Sequence, residues 1–180
     1  MGAVEILKPY LLSGETTRYL NLGAPACRPP YPPLSIGWLV LYTRRAEGHA
    51  GRSEVRAELA KIVHSVEGIK AEWLSAWRLK AGREFDQRLR QWGEYLGDYR
   101  RDPEDHARSY THHVQQRAIL ALLVEEAGTV GGSSIQALSD LDGLLRRPLK
   151  PGSFLWDPAE QSAFPADRYW FLYGSLPEAS

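Results

Sequence analysis

The side chains with most chemistry to offer are four histidines, His64, His106, His112 and His113, with Glu104 and Asp105 beside the second. Imidazole and carboxylate groups supply ordinary metal ligands and proton carriers. On a helix, His106 and His113 share a face seven residues apart, and so do Asp105 and His112. Helical metal sites instead use ligands three or four apart, because only those reach one ion about 2 Å away. Neither H-E-x-x-H nor Glu-x-x-His occurs. A metal-binding helical bundle or histidine enzyme therefore needs His64, His106, His112, His113 and Asp105 to converge from separate elements. The balance favours hydrogen-bonded or exposed histidines, no metal, no cofactor and no catalytic residue.

A second grouping sets Arg78, Arg83, Arg88, Arg90 and Arg101 among Trp73, Trp77 and Trp92. Cations for phosphates and rings for bases suit nucleic acid. Yet the tryptophans fall on an apolar stripe, and Glu72, Glu84, Asp86, Glu94 and Asp98 interrupt the cations. A core stripe flanked by solvated ion pairs is the better reading. Gly131-Gly132-Ser133-Ser134 opens a helix but lacks the lysine of a phosphate loop. Cys27, the sole cysteine, sits among prolines without a histidine in its motif, so it reads as a packed or exposed thiol. Pro29 to Pro32 and Pro30 to Pro33 each satisfy P-x-x-P, and a proline arm lying over its own domain accounts for them.

The chain has 180 residues, room for one domain. Its 22 basic and 22 acidic residues leave no net field toward nucleic acid or an anionic membrane. Residues 1–101 carry 16 basic and 11 acidic groups and residues 102–180 carry 6 and 11, giving +5 and −5, as expected of parts that pack on each other or on a copy. The longest apolar runs, Trp38–Tyr42 and Ala118–Val124, are far short of the ~20 residues that span a bilayer. One cysteine and no visible address give the cytoplasm as the expected compartment.

The expected fold is mainly α: an antiparallel helical hairpin or small helical bundle between two arms. Residues 1–52 form a proline-rich extended arm, in which the apolar segment 36–42 is too short for its period to separate strand from helix. Residues 53–147 form the helical core. From Val55 to Tyr99 apolar residues recur about every 3.67 positions, the period of a nearly straight helix. Gly68 is the expected break, giving helices over 53–67 and 69–101.

Asp102-Pro103-Glu104-Asp105 is a helix start, predicting a helix over 103–127, and Ser133 with Gln136 reads as a capping box for one over 134–146. Residues 148–180 hold too many aromatic rings to leave in water and should dock on the helices. One partner helix cannot cover Trp73, Trp77, Phe85, Trp92 and Tyr99. These residues are the expected interaction surface of a non-enzymatic helical interaction or assembly protein, a homodimer or one bound to a partner protein.

Overall fold

The computed structural model describes residues 3–20, 33–49 and 53–178. The proline run from Arg28 to Pro32 and Cys27 lie outside the described residues. The fold is mainly α: α1 (Ala3–Leu12), α2 (Ile36–His49), α3 (Ser53–Glu72), α4 (Leu74–Arg101), α5 (Pro103–Ala107), α6 (Tyr110–Ala127) and α7 (Gly132–Arg146). A short C-terminal sheet pairs β1 (Lys150–Pro151) with β2 (Gly174–Ser175) in antiparallel register, between which lie two 3-10 helices, Pro158–Ala163 and Trp170–Leu172. Among the described residues no helix is long and apolar enough to cross a membrane.

The molecule is centred on α4 against α6. Trp77, Ala81, Phe85, Trp92, Leu96 and Tyr99 recur at helical spacing on α4, and all are buried. They meet Val114, Ala118, Ile119, Leu122 and Leu123 of α6, whose second half is buried except on the side of Val124 and Glu125, which are exposed. Asp102 turns the chain between them. Its carboxylate accepts the Asp105 N–H at 3.2 Å, and Pro103 occupies the first helical position, where a missing N–H costs nothing. The helix beyond it does not run unbroken to residue 127. The Ser109 and Tyr95 hydroxyls both donate to the His106 carbonyl, at 2.9 and 3.0 Å, and two residues of turn separate α5 from α6.

The segment expected as an extended arm carries two helices. Ser35 caps α2: its hydroxyl accepts the Trp38 N–H at 3.2 Å and its carbonyl accepts the Leu39 N–H at 3.0 Å. The apolar segment 36–42 is thus the first half of a 14-residue helix, whose Ile36 and Leu41 are fully buried. Gly68 is not a break either. It is exposed inside α3, and the interruption falls at Trp73, whose backbone (φ −117°, ψ 34°) leaves helical geometry. There α1 packs against both helices, with the Lys8 ammonium 4.9 Å from the Trp73 ring centroid. At α7 the capping box is not made: Gly131 is the N-cap without a side-chain bond, and the Ser134 hydroxyl donates to Asp86 at 3.0 Å instead.

The aromatic C-terminal segment packs on its own chain. Phe164, Tyr169, Phe171 and Leu172 are fully buried. Core tyrosines fasten it: Tyr110 donates to the Phe171 carbonyl at 2.7 Å and Tyr99 to the Pro177 carbonyl at 3.1 Å. Burial raises the pKa of both hydroxyls, so they remain neutral donors.

Candidate functional site

Buried polar groups are the first place to look for function, since each must be satisfied or used. The largest such group joins α2, α4 and α6. Glu84 is almost fully buried and has three donors: the Ser35 hydroxyl at 2.6 Å, the Gly37 N–H at 2.9 Å and Arg88 Nε at 2.6 Å. Arg88, also buried, donates to Gln116 at 2.5 Å and to Ser35 Oγ at 3.3 Å, and its guanidinium lies 5.2 Å from the Trp38 ring centroid. The carboxylate therefore sits at the positive end of α2 while a cation holds it from behind. Every oxygen is occupied from within the chain, so this group pins the three helices together and presents no open coordination or reaction position.

Two smaller groups fasten the ends. Lys80 is buried at the end of α1 and donates to the Ser13 carbonyl at 3.0 Å and to the Glu15 carbonyl, with the Tyr10 ring centroid 4.2 Å away. Burial, followed by the Arg18 charge, lowers its pKa. Glu160, buried on the first 3-10 helix, accepts from Arg45 at 2.9 and 3.0 Å and lies 2.9 Å from His49 Nε2. The Arg45 guanidinium also lies 5.0 Å from the Trp156 ring centroid. Arg45 and His49 are one helical turn apart on α2, so one buried carboxylate clasps the C-terminal segment to that helix. A carboxylate–imidazole pair of this kind orients a base, but no nucleophile is bonded to His49 among the described residues.

The histidines do not assemble a metal site. His64 is exposed on α3, whereas His106, His112 and His113 lie near the α5–α6 junction. The His113 ring stacks on Tyr95, centroids 4.3 Å apart, and meets His112 edge-on at 5.4 Å. Burial lowers the His113 pKa, and the charges of His112 and His106 lower it further. Among the described residues no group of three or more His, Cys, Asp or Glu side chains could hold a metal ion. Asp105 contributes its backbone N–H to the Asp102 cap.

The expected interaction surface needs correction. Trp77, Phe85, Trp92 and Tyr99 are core residues at 1, 0, 0 and 5% exposure, and Trp73 is partly covered. α2 and the C-terminal segment, both expected as arms, supply the cover that one partner helix could not. The arginines do not form a single cationic face. Arg88 is inside, Arg101 is paired with Asp98, and Arg78, Arg83 and Arg90 are exposed with acids between them.

An open apolar surface lies on α3. Val66 and Ile69 bury this helix's apolar stripe at its C-terminal end. Toward the N-terminus the same stripe leaves the body: no residue from Arg56 to Ser65 is buried, Ile62 is 47% exposed, and Leu59 and Val63 are only half covered. A groove of about 580 Å³ runs beside these turns, bounded across by Glu47 of α2. A smaller cleft of about 150 Å³ continues from it between α2, α3 and α6. There Glu126 accepts from the Trp77 indole at 2.7 Å and from Lys70 at 2.8 Å. Neither the buried polar groups nor the outer half of α3 was identified from sequence. Glu84 and Arg88 are four apart and interleave with Ala81, Phe85 and Trp92, which was the available signal.

No protein-family model, curated protein or solved structure matches the chain.

Proposed function

We propose that this is a non-enzymatic helical assembly protein that works through protein–protein contact. The supporting observation is the outer half of α3, where no residue from Arg56 to Ser65 is buried, Ile62 is 47% exposed and Leu59 and Val63 are only half covered. Short helices in water are marginal on their own propensity, and most helical stability in proteins comes from covering the apolar face. Such a helix is completed by a partner surface. The interior polar groups favour the same reading, since Glu84, Arg88, Lys80 and Glu160 are all engaged in holding elements together. Native mass spectrometry of the untagged protein tests the proposal. A dimer free of metal is the expected result, and a monomer retaining zinc, iron or manganese would replace it with the metal reading.

A further inference from the structure

We propose that the cover for α3 is a second copy of this chain, the two α3 helices packing antiparallel about a two-fold axis between Ala60 and Lys61. The inference rests on the assembly reading and adds the surface, the partner and the register. The charges of α3 choose the partner. Along the helix they alternate in sign, Glu54, Arg56, Glu58, Lys61, Glu67, Lys70 and Glu72, so it complements neither a uniformly basic nor a uniformly acidic surface. Their placement around the stripe chooses the direction. At 100° per residue, Glu58 and Lys61 lie to one side of the centre of the Leu59–Ile62 stripe, at about 70° and 130°, and Arg56 and Glu67 to the other, at about 90° and 110°.

In an antiparallel pair each flank meets the same flank of its neighbour, and here each flank holds both signs. With Leu59 placed opposite Ile62 of the copy, Glu58 comes beside the copy's Lys61 and Arg56 beside its Glu67. The existing Glu58–Lys61 bond, 3.2 Å long and highly exposed, is the kind that exchanges partners at little cost. The groove between α3 and Glu47 leaves room for the opposing side chains. A two-fold contact of this kind is self-complementary and closes at two copies.

Three variants test this. Ile62→Glu, at a site already 47% exposed, keeps the fold and is expected to weaken the dimer at least tenfold. Lys61→Glu places like charges together and weakens it, and adding Glu58→Lys restores it. In a Cys27→Ser background, Leu59→Cys chains mixed with Ile62→Cys chains are expected to crosslink through a short bis-maleimide more efficiently than either alone. A dimer that tolerates Ile62→Glu and gives no crosslink would overturn the α3 assignment while leaving the assembly reading intact. A monomer at the highest soluble concentration would remove both. A monomer with strong amide protection across Arg56–Ser65 would show the face covered by its own chain, and would equally overturn the inference.

Discussion

Replacing Glu84 with alanine is the most informative perturbation of the fold. The substitution deletes three accepted hydrogen bonds and leaves Arg88, whose side chain is 6% exposed, as a buried cation without its counter-charge. Removing one partner of a buried ion pair costs about 3–5 kcal/mol, because the remaining charge stays desolvated. The freed Gly37 N–H at the start of α2 adds about 1 kcal/mol. For a chain of this length each kcal/mol moves the melting temperature by roughly 2–4 °C, so the total of about 4–6 kcal/mol predicts a fall of about 8–24 °C. Thermal unfolding followed by α-helical circular dichroism measures it, with urea unfolding giving the free energy, and Glu84→Gln, which keeps the shape, should cost about half as much. Glu84→Leu with Arg88→Met removes both charges and should recover most of the loss. A Glu84→Ala variant within about 1 kcal/mol of the wild type would refute the claim that this pair pins α2 to α4 and α6.

Gly37→Ala should also destabilise, by less and for a steric reason. A Cβ there would stand 2.3 Å from Ile119 Cγ2 and 2.6 Å from Glu84 Oε1, and overpacking costs about 1–3 kcal/mol, read by the same unfolding curve. Glu160→Gln loosens the clasp on Arg45 and His49, so amide exchange should rise across Pro158–Phe164 while α4 and α6 stay protected. His113 gives a pH dependence of known sign. Its pKa is lowered in the folded state, so the unfolded chain binds the proton first, and stability should fall as pH drops below the ordinary histidine value of 6.5. His113→Phe keeps the stack on Tyr95 and should flatten that slope, while an unchanged slope would assign it to another group.

The helical class was legible because α4 keeps one period over seven turns and α6 is apolar without a break from Ala118 to Val124. What failed was local. Gly68 has low helix propensity, but an exposed glycine in a continuous helix costs only about 1 kcal/mol, and the helix breaks instead at Trp73, where α1 packs. Prolines between residues 25 and 33 made the whole N-terminal third look extended, although Ser35 three residues before Trp38 is an ordinary N-cap. Counting arginines as surface misplaced Arg88, which lies within the apolar stripe because Glu84 one turn earlier neutralises it. Trp77, Phe85, Trp92 and Tyr99, expected as an interaction surface, are interior because their cover comes from segments with no period to reveal it.

Completion of the outer half of α3 by a second copy, as proposed, is tested by amide exchange followed across dilution. The amides of Arg56–Ser65 are expected to be protected at high concentration and to exchange freely on dilution, while those of α4 and α6 do not change. Exchange across Arg56–Ser65 that is fast, or slow, at every concentration would contradict it.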